Sequence, residues 1–406
     1  MSSRYVKSIA FSALCLVMGS AYGAPTTLNG LLDHIEGISP EILKARSRYE
    51  VTQQSLVQAS QIPNPELGVG NWRGKAASQT WKQTDITITQ PIELGGKRGS
   101  RIDVAESEIK QATVELNALV AETRLRALFI LYRVRQLKDE INVLTEAKET
   151  FTHLVGNYRR RPQLSPEQGT TLFNFELALN DCELKLEDAN AEFNQLEGDV
   201  KLLTGFSIAE ISSLLPARKK TWPELNIARE LNSPSMRILS AQAELSENEL
   251  KLAKADVWPT VSIGPSYTMQ NQFGEQANIL GVVINFPIPV LNQNNGARAI
   301  AAKNLTTSRK LYQIEKSILE VRRENLTKTY LSSSKVLGAQ ADRGSLYKRH
   351  GQVESHFLKG LISSPLVLES HRQMFENQRL YHDREIKTLD VYYQLVLLEG
   401  GKIEGI

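Results

Sequence analysis

The chain has 406 residues, 7% of them aromatic and 23% charged, which is thin material for several large globular cores and suits long helices with narrow apolar seams. A formal net charge of +3, lower still without Arg4 and Lys7, offers no basic field for nucleic acid. Cys15 and Cys182 are its two cysteines, so a disulfide framework is excluded once the N-terminal segment is removed.

That segment carries Arg4 and Lys7, an apolar run from Ile9 to Met18, and small residues at Ala21-Tyr22-Gly23. It reads as a secretory signal peptide over residues 1–23. The run is roughly half the ~20 residues a membrane helix needs, and no later stretch is longer, which argues against a helical inner-membrane protein. Lipidation of Cys15 is not expected, because bulky Leu14 precedes it and apolar Leu16-Val17-Met18 follow.

Ser39-Pro40 opens a helix of moderate length, followed by two segments of strand periodicity, Glu66 to Arg73 and Gln83 to Pro91. Thr84-Asp85-Ile86-Thr87-Ile88-Thr89-Gln90 alternates polar and apolar residues, as a strand with one oily face does. A long helix is expected from Ser100 to Tyr158. Its seam runs through Ala112, Leu116, Leu119, Thr123, Ala127, Ile130, Val134 and Leu137 at alternating spacings of three and four, the coiled-coil pattern. Such a helix is about 90 Å long at roughly 1.5 Å per residue. A shorter helix returns from Pro166 to Leu203, its proline suited to the first turn.

The same order recurs at a period of about 197 residues: Ser233-Pro234, strands Thr260 to Thr268 and Asn278 to Pro287, a long helix Ala297 to Leu358, and a return from Pro365 to Leu398. The chain is therefore divided into two structural repeats, 24–230 and 231–406. The strands approach the ~9–11 residues needed to cross a bilayer when tilted. Trp72, Trp81, Trp258 and Tyr267 fall near their ends, where interfacial aromatics are expected. Four strands cannot close a barrel in lipid, so closure needs further copies; two would give a filled lumen, three a twelve-stranded barrel with room for passage.

Two junction segments carry a family resemblance. Gln90-Pro91-Ile92-Glu93-Leu94-Gly95-Gly96-Lys97-Arg98 and Asn285-Phe286-Pro287-Ile288-Pro289-Val290-Leu291-Asn292-Gln293-Asn294-Asn295-Gly296 resemble the barrel-to-helix junctions of the TolC-like outer-membrane efflux family, in its heavy-metal cation branch. Pro91, Gly95, Gly96, Pro287, Pro289 and Gly296 are the junction residues, with prolines ending strands and glycines allowing the swivel into helix. The resemblance implies a mainly α protein with membrane β: four transmembrane strands per chain, a barrel completed in a homotrimer, and a coiled-coil periplasmic tunnel. It implies an outer-membrane lipid environment, a periplasmic adaptor (membrane fusion) protein and an inner-membrane RND pump as partners.

The resemblance also places the helical hairpin tips, for gating and adaptor docking, at Arg159 to Pro166 and Lys359 to Pro365. Arg159, Arg160, Arg161, Leu164, Ser165, Gly360, Leu361 and Ser363 are the docking candidates. Glu369 falls where the family carries a pore carboxylate; Leu366 stands at the other such position and departs from it, and Glu354 is a further pore candidate. His350, His356 and His371 lie near the second tip, but no two are spaced as i and i+4, so no metal site is expected. No cofactor and no catalytic residue are expected: phosphate loop, zinc-protease helix and nucleophile elbow are absent from the sequence, and Gly95-Gly96 lacks the rest of a dinucleotide fingerprint. The alternatives are a channel for drug efflux or type I protein secretion, which would share this fold, and a periplasmic coiled-coil scaffold, which would not explain the strands.

Overall fold

A computed structural model describes residues 25–76, 79–219, 221–225, 230–272, 275–339 and 344–405; the expected signal peptide, with Cys15, lies outside them. In chain order the elements are α1 (Leu28–Ile38), α2 (Pro40–Ser60), β1 (Glu66–Ala76), β2 (Gln79–Glu93), α3 (Lys97–Arg159), α4 (Pro166–Thr204), α5 (Pro234–Ala255), β3 (Thr260–Gln272), β4 (Glu275–Asn285), α6 (Asn295–Ala339), α7 (Gly344–Leu358) and α8 (Ser364–Leu398), with a short 3-10 turn at Ser212–Leu214. The serine-proline starts work as read. Ser39 and Ser233 accept from the Ile42 and Met236 amides at 3.5 and 3.1 Å, with proline at the first helical position.

The strands form one antiparallel sheet in the order β1-β2-β3-β4. Register stacks Val69, Ile86, Tyr267 and Leu280 across all four strands, and Ile263 and Pro265 against Ile284 and Val282. Nothing among the described residues covers this face: Leu280 is 82% and Val282 71% exposed. The opposite face is polar. There Asp85 accepts from Thr268 at 2.6 Å, from Gln83 at 2.9 and 3.0 Å and from the Trp72 indole at 2.7 Å. The outer edges of β1 and β4 have no partner strand among the described residues.

Between β2 and β3 the ladder skips Ile88 and Thr89, which stand opposite Gly264-Pro265. Pro265 has no amide to donate, and Gly264 lets the backbones close up: a Cβ built there would lie 1.8 Å from the Ile88 carbonyl oxygen.

The core lies below the sheet around α3, which packs on α2, α4, α5 and α8, while α6 packs on α5 and α8. Leu31, Leu32 and Ile35 of α1 meet Ala127, Leu128, Leu131 and Val134 of α3 and Leu389 and Tyr393 of α8. Arg124 is buried beside this cluster; it reaches Asp33 at 2.6 Å, Glu36 at 3.1 Å and the Ile403 carbonyl at 2.9 Å, tying both ends of the described chain to one helix. Further along, Glu385 of α8 pairs with Arg135 and accepts from Gln136 at 2.8 Å. His382 lies 2.6 Å from Glu140, which Arg133 also bonds at 3.0 Å.

Two expectations need correction. The strands extend further than their apolar alternation, because Thr80-Trp81-Lys82 and Gln270-Asn271-Gln272 continue the ladder with polar side chains. The long helix expected from Ala297 to Leu358 is described as α6 and α7, and residues 340–343 between them lie outside the described residues. The aromatics divide: Trp81 and Trp258 fall at strand ends, and Tyr267 does not. Trp72 and Trp81 share the polar face with Gln83 and Gly74, Trp258 precedes β3 and packs against Gly95, and Tyr267 alone sits on the apolar face, in mid-strand.

Candidate functional site

The sheet hands over to the helices at two junctions. At the first, Pro91 is still in β2 opposite Ser262, and the chain then turns through Gly95 and Gly96 at φ of 70° and 74° into α3. Arg101 locks the turn: it grips both oxygens of Glu93 at 2.6 and 3.1 Å and donates to the Ala59 carbonyl at 3.1 Å, while Arg98 donates to Ser60 at 2.8 Å. These carbonyls close the C-terminus of α2, where cations are favoured. At the second junction Pro287 and Pro289 end the strand direction, but Gly296 is not the swivel. The positive φ, 55°, belongs to Asn294, whose side chain donates to the Ala253 carbonyl at 3.0 Å. Asparagine is among the few residues other than glycine that tolerate this conformation.

Gly95 is doubly constrained, since a Cβ there would lie 2.2 Å from Trp258 Cδ1. Gly95→Ala should therefore cost about 1–2 kcal/mol for the left-handed backbone, plus the clash. The thermal midpoint of the purified protein should fall, and adding Trp258→Ala should recover only the steric part relative to Trp258→Ala alone. An unchanged midpoint for Gly95→Ala would show that the turn does not need glycine.

At the other end of the helices, the first tip is the turn between α3 and α4. Each arginine of the run has a partner within the chain. Arg159 bonds Glu176 at 3.0 and 2.6 Å, Arg160 donates to the Gly156 carbonyl at 3.1 Å and Asn157 at 2.7 Å, and Arg161 lies 4.4 Å from the Tyr158 ring centre. Leu164 is half-buried, and Ser165 forms a reciprocal capping box with Gln168, both bonds 3.2 Å. The second tip closes α7 with a Schellman turn: Gly360 at φ 71° donates to Phe357 at 2.8 Å and Leu361 to His356 at 2.9 Å. Leu361 is 68% exposed, Ser363 precedes α8, and Thr171 and Ser364 bring the two tips within 3.4 Å. Phe151, Phe175, Phe357 and Val367 pack beneath.

The pore candidates separate. Glu369 is half-exposed on α8 and accepts from Arg372 at 2.7 Å and Gln373 at 2.6 Å. The hydrogen bond from Arg372 holds its carboxyl below the usual range, so it stays charged. Leu366 is 57% exposed one turn earlier. Glu369 also lines a groove of about 440 Å³ with Cys182, Leu177, Phe375 and Arg372. Glu354 instead points into the hairpin pair, where it accepts from Thr150 at 2.9 Å and lies 3.1 Å from His371 Nε2.

His371 is the residue that the spacing of histidines alone misses. It is 7% exposed, stacked edge-to-face on His350 at 4.3 Å, and burial, followed by the nearby His350, pushes its pKa down to about 4. A search over histidine and carboxylate together would have marked His350 and Glu354, one turn apart on α7.

No protein-family model matches the chain. It is 25% identical over 283 residues to the cobalt-zinc-cadmium resistance protein CzcC of Cupriavidus metallidurans, a stretch covering 67% of this chain and 65% of that protein. It is 22% identical over 303 residues to the nickel-cobalt-cadmium resistance protein NccC of Alcaligenes xylosoxydans xylosoxydans, covering 72% and 68%. Among solved structures, CusC, described as forming a transmembrane channel, superposes with a TM-score of 0.71 at 12% identity over 92% of both chains. The outer membrane protein VceC of Vibrio cholerae superposes with a TM-score of 0.67 at 16% identity over 93% of this chain and 97% of its own.

Proposed function

We propose that this chain, a TolC-like outer-membrane efflux protein, is the exit channel of a tripartite efflux system and that its cargo is heavy-metal cations. The observation that carries the channel reading is a sheet whose apolar face is left bare and whose two edges lack partners among the described residues, attached to the 63-residue helix α3. Bare apolar surface of this kind suits lipid, and open edges do not survive there. Three copies, β4 of one paired with β1 of the next, give twelve strands and a lumen wide enough for passage, lined by the polar face around Asp85. The helices then extend the conduit into the periplasm as two copies of one structural repeat.

The tips are the docking end for a periplasmic adaptor and, through it, an inner-membrane RND pump. Arg159, Arg160 and Arg161 are already satisfied within the chain, so docking there relies on the exposed Leu361 and the free faces of the two turns more than on unpaired charge. Three copies of Glu369 would set a ring of carboxylates at the entrance; each shares Arg372 with Glu376, so the attraction to cations comes from the carboxylate charge that this arginine leaves uncompensated. The protein works as a conduit and performs no covalent chemistry. The metal cargo is supported by the relatives, which are named for resistance to cobalt, zinc, cadmium and nickel.

A deletion strain grown on graded cobalt, nickel, zinc and cadmium, with detergents and antibiotics alongside, tests this. Hypersensitivity confined to metals and reversed by the wild-type gene is the expected result. Sensitivity to drugs or detergents alone would sink the metal cargo and leave a general export channel.

A further inference from the structure

Near the second tip, one cluster of side chains has a chemistry that conduction does not use. His350 and Glu354 are four residues apart on α7 and leave the same face of that helix, and α8 brings His371 against them. One ligand atom from each of the three lies within 4.8 Å of the others, and among the described residues no other group of three histidine, cysteine or carboxylate side chains does this. His350 and His371 are 9% and 7% exposed. His371 Nε2 lies 3.1 Å from Glu354 Oε1, an ion pair only with the ring protonated, and has no hydrogen-bond partner among the described residues. A buried ring nitrogen without a partner costs stability, and it is aimed at a carboxylate and a second imidazole.

We propose that His350, Glu354 and His371 form a binding site for one divalent transition-metal cation of the zinc, cobalt or nickel class, bridging α7 and α8. Two imidazoles and one carboxylate suit this class; calcium and magnesium take oxygen ligands alone, and copper(I) prefers sulfur. Bonds of about 2.0–2.2 Å in a tetrahedron place ligand atoms roughly 3.3 Å apart. The 4.8 Å spread would have to close by about 1.5 Å, within the reach of rotations of the three side chains. The fourth position is left to water. Support around the ligands is already in place: Thr150 of α3 donates to Glu354 at 2.9 Å, and Phe151 flanks His371 with ring centres 5.0 Å apart. A bound ion would therefore fasten α7, α8 and, through Thr150, α3 at a level just behind the tip. The site rests on the geometry of one chain and is independent of what the channel exports.

The test uses tag-free full-length protein in detergent, stripped with a chelator and titrated with cobalt(II) chloride and then zinc chloride. One equivalent of cobalt per chain should produce the strong visible bands of a four- or five-coordinate centre, and zinc should abolish them. X-ray absorption of the zinc form should show imidazole scattering. His371→Ala and Glu354→Gln should weaken zinc binding by about 100-fold or more, and Thr150→Val by about 10-fold, with circular dichroism and oligomer elution unchanged. The proposal is overturned if wild-type protein gives no saturable band, if the absorption shows oxygen ligands only, or if folded His371→Ala binds as wild type. Should a variant fail to fold, the two wild-type spectra decide.

Discussion

Gly264→Val should abolish assembly of the proposed channel while leaving the chain's synthesis and export intact. The added Cβ meets a backbone carbonyl, that of Ile88 at 1.8 Å, and not the end of a flexible side chain, so β2 and β3 must separate to admit it. Separation exposes ladder groups that lipid cannot satisfy. A loss of at least ~4 kcal/mol, the range reserved for overpacking with broken hydrogen bonds, is expected. Gly264→Ala should fail for the same reason. Gly296→Ala, with open space around it and a helical backbone, should be neutral or stabilising by up to ~1 kcal/mol. Heat-modifiable mobility of the oligomer in membrane fractions reads the outcome; Gly264→Val oligomer at wild-type level would refute the close approach.

The second large effect lies in the helical body. Glu385 is fully buried, and Arg135, its partner, has a side chain 12% exposed. Glu385→Ala leaves that guanidinium buried without its counter-charge, a loss of about 3–5 kcal/mol. The pair itself is imperfectly satisfied: Arg135 Nε and Nη1 and Glu385 Oε1 have no hydrogen-bond partner among the described residues. Replacing both together, Arg135→Met with Glu385→Leu, should therefore recover most of the loss. Chemical denaturation of the three variants measures this, and a double variant as weak as the single one would mean that the charges do more than offset each other.

The strands and long helices were legible because their apolar residues keep a period. Leu280, Val282 and Ile284 alternate along β4, and the seam from Ala112 to Leu137 keeps its three-four spacing along α3. What the period could not show is where strands stop, since Gln270 to Gln272 continue the backbone ladder after the apolar alternation has ended. The junction motifs were visible, but the swivel at Asn294 was not. Asparagine adopts either sign of φ, and here its bonds to Ala253 and Asn292, made in the folded chain, accompany the positive one. The Arg124 and Glu385 networks have no local signature, because their partners lie far away in sequence and meet only through helix packing. For the tips, sequence located the turns and the structure supplied the partners that occupy Arg159, Arg160 and Arg161.

The unpartnered edges of β1 and β4 have a genetic reading as well. In the proposed closed ring of three, every seam would join one subunit's β4 to its neighbour's β1, so one subunit damaged at an edge would spoil a ring whose other members are sound. A cell making equal amounts of sound and edge-damaged protein keeps about one eighth of its rings intact. Lesions confined to those edges should behave as dominant. Lesions that unfold the helical body remove the chain before it meets a partner, and should behave as recessive.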